Sequence, residues 1–478
     1  MPNPAVAGFG RTTSWPSDPI DNQQYLTHYR DTSLFGKKIN SSNIRRVVKK
    51  HSWAANTKYD IYRHDYSEQT NKAPNSQTGS LYKTNYYVIT SEFKVYICLS
   101  NGSTGDSPIG VDSLDEPTFT DLEPSTAGTQ DPYVWKYLFT ISPSDVIKFD
   151  SIEYIVLPND WSTTTDSQIQ SVREAGDSDI NKNQIRKVYI ENAGTGYTDT
   201  TGEICNILGD GSGAKALVTV TSGKITDVII TSGGSGYTFG MVDLTNLGTP
   251  STHAKLIPII PPSKGHGFDI YTELGADKVL VYSRFDDSTK DFPIDAKFAQ
   301  ISLVKNPTSF GTTSIYTGST FSSLKALKFG TAPTGTPTIG GIVQQTVGTG
   351  QTAFGYIASY DADTNILKYF QDRSLYFGNK NDQTDVLNIT NSGTKFDFEA
   401  TSQPVSFTGG SATIDTTFNL GIATDTSNNR VALGVSFTSG LSSPEINKGS
   451  GDLLYIDNRA LISRNSRQKE DIKIILEF

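Results

Sequence analysis

An acidic run that begins at Asp361 is the first place where residue types and spacing suggest chemistry. Asp361, Asp363 and Asn365, with Asp372 in the twelfth position, resemble the oxygen ligands of a calcium-binding loop. The sixth position of such a loop makes a sharp turn and is normally glycine, but here it is Ile366. The flanking runs FGYIASY and ILKYFQ are typical of strands, so we predict a hairpin turn without a metal.

A glycine-rich run at 209–215, GDGSGAK, has the composition of a phosphate-binding loop. It lacks the G-x-x-x-x-G-K-[ST] order, and strand-like runs flank it instead of a strand and a helix. We therefore predict an ordinary loop between two strands.

Histidines and cysteines give no sign of a metal or catalytic site. The histidines have no H-x-x-x-H or H-x-H spacing, and His266, between two glycines, is expected to serve a turn. Cys98 and Cys205 lie in strand-like runs and are predicted to be buried free thiols. No G-x-S-x-G elbow occurs, and acidic pairs are too numerous for a catalytic pair to be recognised. The sequence thus predicts no catalytic residue, no metal, no cofactor and no enzyme.

Composition favours a large, mainly β protein. The 478 residues exceed the size of one hydrophobic core, so we expect two to four domains. Only 36% of the residues are hydrophobic, and the abundance of glycine and small polar residues suits short strands with many turns. The net charge of −9 argues against nucleic acid as a main partner. No signal peptide or membrane-spanning run is apparent, so we expect synthesis in the cytosol and no membrane partner.

The aromatic segment Asp131–Pro158 is the most informative part of the chain. Four aromatic residues alternate with other side chains, which places them on one face of a strand: Tyr133, Trp135, Tyr137 and Phe139. Ser142-Pro143-Ser144-Asp145 then has the features of a helix N-terminus, and a second apolar strand follows. From the pattern alone this is an aromatic-rich core hairpin.

Four segments, in order, resemble the baseplate wedge protein of T-even-type contractile-tailed bacteriophages, the gene-product-eight type. They are Val47–Tyr59, Asp131–Pro158, Ala299–Pro307 and Gly451–Phe478, and we refer to them as segments one to four. Segment one includes Trp53, and segment four includes the Y-x-x-N-R run of Tyr455, Asn458 and Arg459. With their surroundings these segments cover about half the chain, and the last one ends with it.

The resemblance implies a structural virion protein of the tail baseplate, assembled in the host cytoplasm. It implies a homodimer that binds other wedge proteins, with fibre proteins as possible further partners. The candidate core or interface residues are Trp53, Tyr133, Trp135, Tyr137, Phe139, Tyr455, Asn458 and Arg459. For Arg459 two interpretations stay open: a salt-bridged turn, or a contact that fixes register within the subunit or with a neighbour.

An internal repeat with a period of 40 residues occupies 185–260, where G-x-G-Y-T at Gly194–Thr198 recurs at Gly234–Thr238. The family pattern lacks this module, so we treat it as an insertion. We predict a discontinuous, β-sandwich-like core domain with two small inserted β domains and few short helices. The predicted boundaries are an N-terminal arm at 1–20, core parts at 21–164, 263–310 and 451–478, the repeat module at 165–262 and a second insert at 311–450.

Two other functions remain open at this level. A receptor-binding or fibre-attachment protein is favoured if the inserts bind carbohydrate. A tail-associated polysaccharide depolymerase requires a cleft with converging carboxylates.

Overall fold

The computed structural model describes residues 5–10, 31–286, 297–372, 375, 394–424, 426–428, 430–432, 435–464 and 468–478. Its architecture is mainly β, which confirms the fold class expected from composition.

The strands of the described residues, in chain order, are β1 (Ala5–Gly10), β2 (Ser33–Ile39), β3 (Ile44–Lys49), β4 (Tyr87–Ile89), β5 (Lys94–Asn101), β6 (Tyr133–Thr140), β7 (Tyr154–Val156), β8 (Val188–Asn192), β9 (Thr200–Gly209), β10 (Ser212–Thr221), β11 (Lys224–Ser235), β12 (Gly240–Val242), β13 (Lys255–Pro258), β14 (Lys278–Asp286), β15 (Lys297–Lys305), β16 (Thr320–Ser322), β17 (Lys325–Lys328), β18 (Ile342–Gly348), β19 (Gln351–Asp361), β20 (Ile366–Phe370), β21 (Val405–Phe407), β22 (Gly410–Ala412), β23 (Ile422–Thr424), β24 (Arg430–Ala432), β25 (Leu441–Ser442), β26 (Asp452–Ser463) and β27 (Lys469–Glu477).

The α-helices whose full length lies within the described residues are α1 (Pro143–Phe149), α2 (Ser167–Ile180) and α3 (Ile270–Glu273). The first of them has the N-terminus that its sequence predicts. The Ser142 side chain accepts a hydrogen bond from the Asp145 amide, and Pro143 opens α1.

The chain divides into two compact units, each built from separated stretches. The first unit comprises Met1–Ile44 and Tyr282–Lys473, and the second comprises Arg45–Val281 and Ile474–Phe478. A four-stranded sheet has the order β27-β14-β3-β7. The domain boundaries given in the sequence analysis stay predictions.

In the first unit, a five-stranded sheet has the order β16-β2-β1-β15-β26, and its neighbouring strands are antiparallel. Strand β1, which falls in the predicted N-terminal arm, lies between β2 and β15. A seven-stranded sheet, β22-β21-β18-β19-β20-β17-β25, has its own apolar core around Leu327, Phe329 and Val343. Strands β23 and β24 form a separate pair.

In the second unit, the aromatic strand β6 pairs with β5 in the sheet β4-β5-β6. The repeat module follows as the four-stranded sheet β11-β10-β9-β12 and the pair β13-β8. A single apolar core holds the strands of the module together. Its buried residues include Val188, Ile190, Val218 and Val228.

The two copies of the repeat interleave. Strand β8 of the first copy pairs with β13 of the second, and β10 of the first pairs with β11 of the second. The registers are equivalent, because Ile190 lies opposite Leu256 while Ile230 lies opposite Ala216. Each of these two ladders therefore needs strands from both copies.

The tyrosines of the two G-x-G-Y-T turns make reciprocal bonds between the copies. The Tyr197 hydroxyl accepts from the Ala254 amide at 2.9 Å, and the Tyr237 hydroxyl accepts from the Ala214 amide at 3.2 Å. Gly234 has a φ of 62° in the left-handed region, and a Cβ there would lie 2.5 Å from the Ser212 carbonyl oxygen. The glycines thus let the turn approach the other copy closely.

Candidate assembly site

The aromatic face of β6 is core, not surface. Tyr133 and Trp135 are completely buried, and Tyr137 and Phe139 are 1% exposed. The Tyr133 and Trp135 rings stack with centroids 5.4 Å apart, and the Tyr133 hydroxyl donates to the Val111 carbonyl at 2.8 Å. Burial raises the pKa of Tyr133, because it disfavours the phenolate. These residues stabilise the second unit and are not available to a partner.

The opposite face of β6 is buried at Lys136 and Leu138 as well, which alternation alone did not predict. Lys136 is 2% exposed, and its ammonium donates to the Leu122 carbonyl at 3.0 Å with Asp179 at 3.8 Å. Asp179 lies on α2, whose Val172 and Gly176 are also buried. Burial lowers the pKa of Lys136, since the buried ammonium loses hydration.

Segments one and two of the resemblance lie against each other. Val47 pairs with Val156 and Val48 with Ile155, so β3 and β7 form a short antiparallel ladder. The Tyr59 amide donates to the Tyr133 hydroxyl at 3.0 Å. Contacts between residues 74 to 109 positions apart in the sequence thus join these two segments in one core.

Trp53 lies at the border of that core and is half-buried. Its indole nitrogen donates to the Ser113 hydroxyl at 3.1 Å, and its amide donates to the Ile89 carbonyl at 2.9 Å. Both contacts hold the residue within the second unit.

Segments three and four pair in the first unit through β15 and β26. Gln300 lies opposite Asn458, and Leu303 lies opposite Tyr455. The Gln300 side-chain amide donates to the Asn458 side-chain oxygen at 2.9 Å. Gln300 is completely buried, while Tyr455 and Asn458 are half-buried. The sequence alone did not show that these two distant segments form neighbouring strands.

Arg459 lies in the middle of β26 and not in a turn. Its Nε donates to the Asp457 carboxylate at 2.5 Å, and the side chain is 53% exposed. Residues two apart in a strand share a face, which explains this pair. Of the two interpretations, a salt bridge is present but the turn is not, and the contact with a neighbour stays a prediction.

Strand β26 forms one edge of the five-stranded sheet. It spans 12 residues, and among the described residues it pairs with β15 alone. Leu454 on this strand is 51% exposed, and Arg459 and Ala460 are exposed too. A long edge strand presents unpaired backbone groups that another strand can use. The edge of β26 is therefore the strongest candidate contact surface among the predicted residues.

His266 and the buried Glu273 form a pair that sequence reasoning missed. The Glu273 carboxylate accepts from the Gly267 amide at 2.7 Å, and its other oxygen contacts His266 Nδ1. The His266 ring packs edge-on against Tyr62 with centroids 4.7 Å apart. Both carboxylate oxygens are engaged, so the pair fixes the turn at 265–267 to α3. The expected turn role of His266 fits this arrangement, but its partner seven residues away carried no sequence signal.

The runs that resembled ligand-binding loops are connections between strands. Asp361–Asn365 turns from β19 into β20, and Asp361 accepts from the Asp363 amide and the Thr364 hydroxyl. Within 209–215, only Asp210 and Gly211 lie between β9 and β10, and the other residues belong to the two strands. The hairpin turn after Asp361 is therefore confirmed, whereas the predicted loop at 209–215 is a two-residue turn inside a strand hairpin.

Cys98 and Cys205 are free and buried, as predicted, and burial raises the pKa of both thiols. Among the described residues, no group of three or more His, Cys, Asp or Glu side chains is placed to hold a metal ion. Within the same part of the chain, no helix has the length and apolar character needed to span a membrane.

Comparison with models of known protein families gives no match, and a search of curated protein sequences finds no significant relative. The fold and the candidate site thus define a mainly β protein of two compact units, and its strand edges are the candidate contact surfaces.

Proposed function

We propose that this chain is a structural subunit of a phage tail baseplate wedge, of the gene-product-eight type. In this role it forms a homodimer, holds neighbouring wedge proteins in register and relays the baseplate change that triggers sheath contraction.

The pairing of the four resembling segments carries the proposal. Segment one contacts segment two through β3 and β7, and segment three contacts segment four through β15 and β26. These contacts join residues that are distant in sequence, and the repeat module and the seven-stranded sheet come between the segments along the chain. Such an arrangement fits a common framework with insertions at tolerant loops.

Strand edges give the proposal its contact surfaces. Because the aromatic face of β6 is buried, the anchors that interfaces usually draw from aromatic residues must come from elsewhere. The edge of β26, with Leu454 exposed, can pair with a strand of a second copy. Main-chain pairing also fixes relative position closely, which a scaffold protein requires.

Immuno-electron microscopy tests the proposal. Antibodies raised against the purified chain are applied to the contractile-tailed particles that incorporate it. The expected result is label at the distal end of the tail in both extended and contracted particles. Antibody absorbed beforehand with the purified chain provides the control.

Other outcomes separate the alternative functions. Label along fibres, together with specific binding of the full chain on a glycan array, supports a receptor-binding protein and contradicts the wedge assignment. Release of reducing ends from host polysaccharide by the purified chain supports a depolymerase.

A further inference from the structure

Two stretches of the repeat module, which contain β8 and β11, are joined to each other at the two ends of a seam. At one end the Ile185 amide donates to the Gly233 carbonyl at 3.0 Å, and at the other the Ile225 amide donates to the Ala193 carbonyl at 3.1 Å. These bonds are equivalent in the two copies, because Ile185 and Ala193 recur as Ile225 and Gly233 after 40 residues. The two stretches thus run in opposite directions along the seam.

Between its two ends the seam is open. Seven residues lie between the bonded ends on each side, 186–192 and 226–232, and among the described residues no backbone hydrogen bond joins the two runs. A cleft of about 550 Å³ lies in the gap and is lined by 185–187 and 227–233. Because both runs have the same length, they can pair across the gap without a shift in register.

A loop that follows β5 lies in the gap. We call its residues 103–108 the strap. The Gly105 amide donates to the Thr226 carbonyl of β11 at 3.0 Å. A Cβ at Gly105 would lie 2.2 Å from the Ile225 carbonyl oxygen, so a residue with a side chain does not fit there. The strap thus occupies a place on β11 where the opposite strand would otherwise bond.

Side chains of the opposite stretch hold the strap from the other side. The Lys187 ammonium donates to the Ser103 carbonyl at 3.2 Å, and the Tyr189 hydroxyl donates to the Pro108 carbonyl at 3.3 Å. Among the described residues, no backbone hydrogen bond ties the strap to β8. The strap therefore separates the two strands but is fixed in the seam by few bonds.

The strap has the features of a segment that moves as a unit. Gly102 before it and Gly110 after it have φ values of 70° and 80°, in the left-handed region, and such positions serve as hinges. Within the strap, the Thr104 amide donates to the Ser107 carbonyl at 3.1 Å. The Ser103 hydroxyl is buried and has no hydrogen-bond partner among the described residues, which disfavours the seated position.

Charge opposes pairing of the seam while the strap is seated. The register set by the two ends places Asp227 opposite Glu191, and like charges directly opposite each other disfavour pairing. Lys255 lies 2.6 Å from the Glu191 carboxylate and neutralises part of this repulsion. The repulsion therefore favours the open seam without excluding the closed one.

We infer that the strap is a conformational device that holds the seam open. When it withdraws about its two hinge glycines, β8 and β11 pair along the seam and close the cleft. The cleft then exists only while the strap is seated. This inference does not depend on the baseplate assignment, because the strap and the seam lie outside the four resembling segments.

Hydrogen exchange of the full-length chain, measured by mass spectrometry, tests the inference. Gly105→Ala places a methyl group against the Ile225 carbonyl oxygen and expels the strap. We expect faster exchange in the strap and slower exchange, by about tenfold or more, in peptides that cover 186–192 and 227–232, because pairing protects their amides. Gly330→Ala is the control, since the nearest atom to a Cβ there is the Asp415 Cβ at 3.8 Å, and it should leave both regions unchanged.

A milder variant keeps the test valid if Gly105→Ala does not fold. Lys187→Met combined with Tyr189→Phe removes both side-chain bonds to the strap and retains most of the side-chain volume. Circular dichroism checks that this double variant is folded, and the same slower exchange is expected in the seam. Unchanged or faster exchange of 186–192 and 227–232 in the double variant overturns the inference, because the strap is then a fixed part of the fold.

Discussion

The side-chain amide of Gln300 donates a hydrogen bond of 2.9 Å to the side chain of Asn458, across 158 residues of sequence. The two residues lie directly opposite each other on β15 and β26. Gln300 is completely buried, so its amide depends on this partner. The bond also marks the register between segments three and four.

Loss of the Asn458 side chain is expected to destabilise the first unit. Asn458→Ala leaves the buried Gln300 amide without its acceptor, and such a loss costs about 1–3 kcal/mol of unfolding free energy. Urea denaturation followed by near-UV circular dichroism measures it. Arg459→Ala is the matched control on the same strand, since its pair with Asp457 is exposed and is worth less than about 1 kcal/mol. Equal shifts for the two variants would contradict the assignment.

His51 is expected to make the second unit sensitive to mild acid. Its ring packs edge-on against Tyr87 with centroids 5.1 Å apart, and its buried Nε2 has no hydrogen-bond partner among the described residues. Burial, with a contribution from Lys49, lowers the pKa of His51 from 6.5 to about 4. The unfolded chain therefore binds a proton between pH 6.5 and 4 that the folded chain does not, and stability falls as the pH falls through this range.

Substitution of His51 tests this linkage. His51→Phe keeps the ring contact but removes the titration, so on the order of 2–3 kcal/mol of the acid-induced loss should disappear. Urea midpoints measured at pH 7 and pH 4.5 report the difference. His253→Phe, at an exposed histidine, is the matched control for the substitution itself. An identical pH profile in wild type and His51→Phe would refute the prediction.

The interleaved repeat should unfold as one module. Tyr237→Phe removes the hydroxyl that donates to the Ile207 carbonyl at 2.9 Å and accepts from Ala214, and Tyr197→Phe removes the equivalent acceptor of Ala254. Each variant should cost about 1–3 kcal/mol. Each tyrosine hydroxyl bonds an amide of the other copy. Both variants should therefore lower the opening free energy that native-state hydrogen exchange measures for β10 and for β13 together.

Tyr82→Phe provides the control for these variants, since Tyr82 is 48% exposed. If Tyr197→Phe weakened protection only in the first copy and Tyr237→Phe only in the second, the copies would be independent of each other.

The edge of β26 should control self-association if the proposed dimer uses it. Leu454→Lys places a charge on an exposed edge position, which discourages strand pairing between copies. We expect sedimentation at micromolar concentration to change from dimer to monomer, while the unfolding free energy changes by less than about 0.5 kcal/mol. Ile152→Lys, at a side chain 95% exposed on the second unit, is the matched control. A wild-type chain that sediments only as a monomer would contradict the homodimer itself.

Local features were predictable because they depend on neighbouring residues. The alternation at Tyr133–Phe139, the cap at Ser142 and the turn after Asp361 all appear as predicted. The burial of Lys136 was not predictable, since it depends on α2 covering the second face of β6. The pair of His266 and Glu273 was likewise invisible, because its geometry comes from a turn and a short helix that pack together.

The candidate site residues also separate into what the sequence predicted and what only the structure showed. The sequence already placed the aromatic face of Tyr133 mostly in the core, but it left Trp53 and Asn458 open between core and interface. Burial then assigned the aromatic strand to the core and left β26 at a sheet edge.

By itself, the sequence determined the β class, the 40-residue repeat and the free cysteines, since composition and short-range periodicity carry these features. Only the tertiary structure decided that the repeat copies exchange strands, that the resembling segments meet in pairs, and that β26 pairs with β15 alone among the described residues. The physical reason is that strand pairing joins residues far apart in the chain, and its partner and register follow from the packing of the whole core.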